Sequence, residues 1–270
     1  MNNELRLFCN DIKKSFGRFN VLKGCSLELR ENEFVGLVGE NGSGKTTLVK
    51  HLNGLLKPTS GQVWIGKKNT KICTTAELSK TVGYVFQNPE NQLFKETVRE
   101  ELIFGPKNIG FSEDKIKDIV KKIANLTGIY DILDSNPREL NFFQKQWVAI
   151  ASTLTMDSKI LILDEPNTSQ DFLGVEKLIK LINNLLIKNN TVITITHDLD
   201  FALKISKRFV VISDGKILLD NKPQNIFTKK QELIKANLIP PPIPRLGISL
   251  GLKYPPISID DFINMYKAII

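Results

Sequence analysis

The sequence predicts an α/β protein built around a P-loop, and three observations carry that expectation. Residues 34–38, Phe-Val-Gly-Leu-Val, form a short apolar run of the kind that makes a buried strand. Gly39-Glu40-Asn41-Gly42-Ser43-Gly44-Lys45-Thr46 follows at once and fits the pattern of Gly, four residues, Gly-Lys-Thr, with a helix-prone run behind it. Downstream, strand-length apolar runs alternate with helical patterns. The chemistry of the loop explains its composition. Gly42 and Gly44 can adopt backbone angles closed to other residues, so successive N–H groups can curl around phosphate oxygens at a helix N-terminus. Lys45 then reaches the β- and γ-phosphates and the Thr46 hydroxyl coordinates a magnesium ion, which makes a nucleoside triphosphate the expected ligand.

Upstream of the loop, residues 4–10 and 25–30 read as strands, with Gly17 marking the turn region between them. Phe16 lies there, where an aromatic ring could stack on an adenine base; a lone phenylalanine would otherwise be core. After the loop helix, residues 61–65 and 82–86 are further strands, and Gln87 follows the second of them directly. Residues 97–104 and 112–126 have helical periodicity, the latter opened by Ser112 and early acids. The stretch of about 88–150 is therefore expected to be a helical subdomain inserted into an alternating strand and helix pattern. Residues 159–165, Lys-Ile-Leu-Ile-Leu-Asp-Glu, form a second buried strand ending in two carboxylates. Asp164 would orient magnesium and Glu165 would polarise the attacking water, the arrangement known as Walker B. Residues 191–196 are the next strand, and His197 at its end could donate to a γ-phosphate, although a surface histidine is the ordinary reading of one taken alone. Asp214-Gly215 marks a hairpin between residues 209–213 and 216–219. Residues 1–222 are expected to form the main domain and 223–270 a small extension, with a short helix at 223–227, a proline-rich linker through 240–244 and a terminal helix at 259–269.

Composition excludes several classes. Hydrophobic residues make up 41% of the 270-residue chain, enough for a substantial core. The three cysteines, Cys9, Cys25 and Cys73, have no disulfide-framework or metal-ligand spacing and suit a reducing setting. The stretch MNNELRLFCN has no basic segment followed by an apolar one, so no secretory signal is expected, and no apolar run is long enough to span a bilayer. A role at a membrane would therefore run through a partner. The net charge of +8 favours anionic partners, but the lysines are scattered through helical stretches rather than gathered in a block, so they read as a solvated surface and no nucleic-acid partner is expected.

Taken together, the motifs resemble the ATP-binding cassette (ABC) ATPases over about residues 4–225. Phe16 stands at the adenine-stacking aromatic, residues 39–46 at Walker A, Gln87 at the Q-loop glutamine, 140–144 at the signature, 160–165 at Walker B, Asp171 in the D-loop and His197 at the switch histidine. The resemblance implies a RecA-like P-loop core with an antiparallel β subdomain, the inserted helical subdomain and a C-terminal extension. It also implies ATP and Mg2+ as cofactors. Phe16, Gly39, Glu40, Asn41, Gly42, Ser43, Gly44, Lys45, Thr46, Thr47 and Gln87 would hold the nucleotide, Thr46, Gln87 and Asp164 the metal, while Glu165 and His197 would be catalytic.

The segment Gln87-Asn-Pro-Glu-Asn-Gln-Leu-Phe94 and the tail phrase beginning Ala236-Asn-Leu-Ile-Pro resemble the ATPases of energy-coupling factor (ECF) transporters, importers of vitamins and transition-metal ions. That resemblance implies work on the cytoplasmic face of the cell membrane, beside a second ATPase subunit, a transmembrane coupling subunit and a substrate-binding membrane subunit. Family sites join one subunit's Walker A to the other's Leu-Ser-Gly-Gly-Gln signature. Here the signature reads Leu140-Asn-Phe-Phe-Gln144, Trp147 stands where the family commonly has arginine, and Ser169-Gln170 departs from the usual D-loop. The lost glycines restrict the close approach of backbone to a γ-phosphate. An asymmetric heterodimer is the arrangement this implies. An ATPase for another ABC transporter, a soluble ABC protein acting on nucleic acid or ribosomes, and a nucleotide-sensing scaffold are the other readings. The tail, the absence of a second cassette or coiled-coil insertion, and the presence of Glu165 and His197 count against these in turn.

Overall fold

The computed structural model describes residues 5–168, 170–187, 190–252 and 254–267. In chain order these form β1 (Leu5–Phe16), β2 (Phe19–Arg30), β3 (Phe34–Val38), α1 (Lys45–Leu52), β4 (Ser60–Ile65), β5 (Lys68–Asn69), α2 (Thr75–Ser79) and β6 (Val82–Val85). There follow α3 (Val98–Asn108), α4 (Glu113–Thr127), α5 (Phe142–Leu154), β7 (Ile160–Asp164), α6 (Phe172–Ile187), β8 (Thr191–Thr196), α7 (Leu199–Ile205), β9 (Arg208–Ser213) and β10 (Lys216–Asn221). The last helices are α8 (Pro223–Phe227), α9 (Lys230–Lys235), α10 (Pro242–Ser249) and α11 (Ile259–Lys267). Glu4, Ser169 and the expected helix end at 268–269 lie outside the described residues.

Two sheets organise the molecule. One is antiparallel, in the order β2-β1-β4-β5; the other runs β10-β9-β3-β8-β7-β6, parallel except for β10. Every residue of β3, β7 and β8 is buried, as strands covered on both faces must be. Side chains leave a strand alternately to its two faces, and here the faces meet different partners. Val35, Leu37, Ile160, Ile162, Ile193 and Ile195 pack with α1 and the antiparallel sheet. Phe34, Leu161, Leu163 and Val192 pack with α3, α4, α5 and α6. Cys9 and Cys25 belong to the first of these cores, where burial pushes their thiols to about 12 and about 11 and keeps them protonated.

The inserted region is helical and its helices start where capping chemistry allows. Thr97 and Glu100 form a reciprocal capping box at the head of α3, and Ser112 caps α4, which ends at Gly128 in a left-handed conformation. Ile116, Val120, Ile123 and Thr127 repeat at helical spacing on the buried face of α4.

The proline-rich stretch expected to be a linker is instead the start of a helix. Pro241 is the N-cap of α10, and Pro242 and Pro244 fall in its first turn. Proline is tolerated there because first-turn N–H groups have no partner within the helix and the ring's fixed φ suits it. The helix α9 was not foreseen. Ile226, Phe227, Leu233, Ala236 and Leu238 pack against Val38, Phe209 and Val211 at the edge of the parallel sheet.

Candidate active site

The carboxyl ends of four parallel strands, β3, β6, β7 and β8, carry the residues singled out in the sequence. This is the edge of an open α/β sheet where ligands bind. The P-loop joins β3 to α1. A Cβ at Gly39 would sit 2.2 Å from the carbonyl oxygen of Ile212, so only glycine lets the loop leave β3 at this angle. Gly44, the N-cap of α1, has φ +107°, in the left-handed region. The loop is braced from outside by Gly215, whose N–H donates to the Ser43 carbonyl at 3.0 Å.

Lys45 is only 6% exposed, and its ammonium donates to the carbonyls of Gly39 at 2.8 Å and Glu40 at 2.9 Å. Burial pushes its pKa down, against the opposing charges of Glu165, Asp164 and Glu40. The ammonium is thus held across the loop, close to where a phosphate would lie. Ser43 Oγ is buried in the loop and has no hydrogen-bond partner among the described residues, a donor that fits a phosphate oxygen. Asn41 and Gly42 are exposed at the loop's tip, and Thr47 is half-buried on α1.

Thr46 Oγ1 donates to Asp164 Oδ1 at 3.4 Å, which brings the two expected magnesium ligands together across 118 residues of chain. These hard oxygen donors suit Mg2+. The second oxygen of Asp164 accepts a 2.6 Å hydrogen bond from the Tyr84 hydroxyl on β6, a partner the sequence reading missed. Burial pushes the Asp164 carboxyl up; the hydrogen bonds from Tyr84 and Thr46 oppose it, and the charge of Glu165 adds to it. Tyr84 is pushed well up by burial and then by Asp164, so it stays a proton donor.

Glu165 follows β7 with φ +49°, an uncommon conformation for a residue with a side chain and one that recurs at functional sites. Its N–H donates to the Ile195 carbonyl at 2.9 Å, fixing it against β8. His197, at the end of β8, places Nδ1 3.0 Å from both carboxylate oxygens of Glu165. The histidine is 59% exposed at its side chain while the glutamate is 6% exposed, so the pair joins the floor of the site to its rim. Thr196 and Asp198 hold Asn167, tying the segment after Glu165 to the segment around His197.

Two expected contacts stand further out. Gln87 is exposed at the end of β6, and none of the observed hydrogen bonds connects it to Thr46 or Asp164. Phe16 ends β1, 47% exposed, with the Lys14 ammonium 5.1 Å from its ring centroid. It sits on the hairpin that leads into Val21 and Leu22, and those two residues pack against Gly44.

A family model described as ABC transporter matches residues 22–168. An energy-coupling factor transporter ATP-binding protein, EcfA2, of Acetivibrio thermocellus is 40% identical over 250 residues, covering 92% of this chain and 88% of its own length. The chain belongs to the ABC transporter family. A provisionally named ABC transporter ATP-binding protein of Caldanaerobacter subterraneus is 37% identical over 246 residues, 91% of this chain, and the chain spans 43% of that relative's length. Among solved structures, cbiO1 of Clostridium perfringens, described as part of the ABC transporter complex cbiONQ, superposes with a TM-score of 0.75 at 32% identity. The match covers 92% of this chain and 99% of that one. The fold is the ABC ATPase cassette.

The signature segment of this ABC cassette opens α5. Asn141 is the N-cap: its side chain accepts from Gln144 N–H at 2.9 Å, while the Gln144 side chain accepts from Asn141 N–H at 3.2 Å. Asparagine therefore caps the helix as a serine would. The two phenylalanines part company. Phe142 is exposed at the helix start, whereas Phe143 is half-buried and packs against the core, its ring edge-on to Trp147 at 6.5 Å. The exposed Phe142 is thus the one that stands towards solvent at the helix N-terminus. Trp147 is buried, and the Lys177 ammonium lies 4.2 Å from its ring, so a cation reaches this place from α6. In the D-loop, Asp171 caps α6 by accepting from Gly174 N–H at 2.7 Å, and Gln170 donates to Gln146.

Proposed function

We propose that this chain binds ATP with Mg2+ and hydrolyses it as one ATPase subunit of an ECF-type importer. There it pairs with a different ATPase subunit, a transmembrane coupling subunit and a substrate-binding membrane subunit on the cytoplasmic face, and energises uptake of a vitamin or transition-metal ion. The observation that carries the reading is the gathering of Lys45, Thr46, Asp164, Glu165 and His197 at one edge of the sheet, with 3.4 Å between Thr46 and Asp164 and 3.0 Å between His197 and Glu165. The names of EcfA2 and cbiO1 support the ECF assignment. So does the segment from Gln87 to Phe94. Among the described residues no helix is long and apolar enough to cross a membrane, which leaves the membrane steps to partners.

In this mechanism the P-loop amides and Lys45 bind the triphosphate and offset its charge. Glu165 accepts a hydrogen bond from the attacking water and orients it towards the γ-phosphorus, and His197 holds the carboxylate in place while facing the phosphate. Magnesium, held by Thr46 and Asp164, would neutralise charge on the phosphate oxygens. Gln87 would stand at the rim, towards the membrane partner. The exposed Phe142 supports an asymmetric dimer, in which the half-site built on Lys45 turns over and the one using this chain's signature does not.

Affinity purification of the tagged chain from detergent-solubilised membranes tests the proposal. The expected result is co-purification of a second ATP-binding cassette and polytopic membrane proteins, in a complex that hydrolyses ATP. Recovery of the chain on ribosomes or nucleic acid, without membrane subunits, would overturn it.

A further inference from the structure

The C-terminal segment reaches the phosphate loop. α9 closes in a Schellman turn: Leu238 N–H donates to the Leu233 carbonyl at 2.9 Å and Asn237 N–H to the Ile234 carbonyl at 3.1 Å. Asn237 takes the left-handed position with φ +50°, which asparagine tolerates better than most residues. That conformation aims its side chain at the P-loop, where Nδ2 donates to Glu40 Oε2 at 2.6 Å. The approach is held on both sides. Ala236 and Leu238, the neighbours of Asn237, pack in one cluster with Val38, the residue before Gly39, and Ser213 Oγ donates to the Lys235 carbonyl at 3.1 Å. The backbone of Glu40 is in turn bound to Lys45 of the same loop, its carbonyl accepting from Nζ at 2.9 Å.

We propose that Asn237 is a positioning residue of the nucleotide site: it holds Glu40, and through it the carbonyl on which Lys45 rests, so that the C-terminal segment sets the affinity of the P-loop for triphosphate. The proposal rests on reading this loop as the ATP site. The loop needs such a brace because its tip, Asn41-Gly42, is exposed and includes a glycine at φ +81°. A glycine at position 237 would satisfy the turn but carry no donor. An aspartate would keep the turn and set a second carboxylate against Glu40. Linkage makes the effect reciprocal: nucleotide bound in the loop holds residues 230–238 more firmly on the sheet edge.

The test uses the full chain and a fluorescent ATP analogue in equilibrium binding, together with KM and kcat of the assembled complex. Asn237→Asp should weaken analogue binding and raise KM on the order of 3- to 10-fold, the scale of one exposed hydrogen bond to a charged group, with kcat little changed. Measured against Glu40→Gln alone, Asn237→Asp restores a donor and an acceptor with their roles reversed, so the loss it causes beside Glu40 should be mostly rescued in that background. A merely structural role for position 237 would show no such rescue. Asn237→Gly, which suits the backbone, should fold with unchanged thermal stability and still bind more weakly. Unaltered binding in Asn237→Asp and Asn237→Gly would overturn the proposal, as would failure of the double variant to recover. If the wild-type chain itself bound no analogue, the reading of the site would fall, and this proposal with it.

Discussion

His197 Nδ1 lies 3.0 Å from each carboxylate oxygen of Glu165, although the two residues end different strands. The parallel register of β7 and β8, which pairs Asp164 with Ile195, sets them side by side. Replacing Glu165 by Gln keeps the shape of the site and removes the charge proposed to orient water. Hydrolysis by the assembled complex should fall by about 10²-fold or more, the scale of lost general-base assistance, while nucleotide binding persists. Steady-state turnover and analogue binding check this; turnover close to wild type would remove Glu165 from the mechanism.

Lys45→Ala acts on the other half of the chemistry. The phosphates lose a buried charged donor, so ATP affinity should drop at least about tenfold, the range of a hydrogen bond to a charged group. Isothermal titration would show it, and an unchanged dissociation constant would contradict the P-loop assignment.

Asp164 yields a pH prediction. Its carboxyl is raised above the ordinary 3.8 mainly by burial, so the folded protein holds this proton more tightly than the unfolded chain does. Stability from this group is therefore present at low pH, is lost as pH rises from 3.8 through the folded value, and stays lost at neutrality. Asp164→Asn removes the buried charge while keeping an acceptor for Tyr84. The nucleotide-free variant should melt higher at neutral pH, by about 2–4 °C for each kcal/mol regained, and should lose magnesium-dependent turnover. A melting temperature at or below wild type, measured calorimetrically, would refute this.

The signature segment separates repair from damage. In a complex whose Lys45 site carries Glu165→Gln and whose partner has its own catalytic glutamate, Asn141→Ser with Phe142→Gly should raise hydrolysis at the other site. Phe143→Gly should instead lower stability by about 1–3 kcal/mol, below the loss for a fully buried ring, because its half-buried ring packs against the core beside Trp147. Chemical denaturation and turnover distinguish the two. A repaired complex that stays inactive would sink the asymmetric reading.

Much of the fold is legible along the chain because its causes are local. The strands at Phe34–Val38, Ile160–Asp164 and Thr191–Thr196 announce themselves as near-continuous apolar runs, as buried parallel strands do. Asp214-Gly215 marks the β9–β10 hairpin, and Pro223 opens α8. The helix α10 is not legible this way, since three prolines at a helix start read the same as a proline-rich linker until packing chooses between them.

The glycine-rich loop, the paired carboxylates and the histidine are legible in the sequence alone, since the loop is a pattern of consecutive residues and each of the others is placed by the strand it ends. Pairings between distant segments were decided only by the tertiary structure. Tyr84 meets Asp164 across 80 residues, and Asn237 meets Glu40 across 197. Phe142 faces outwards while its half-buried neighbour Phe143 packs against the core. No local periodicity encodes the Tyr84–Asp164 and Asn237–Glu40 contacts. They arise because burying both faces of one sheet brings its strand ends, the signature helix and the C-terminal turn to a single edge, and the side chains that meet there are chosen by topology and register rather than by nearness in the chain.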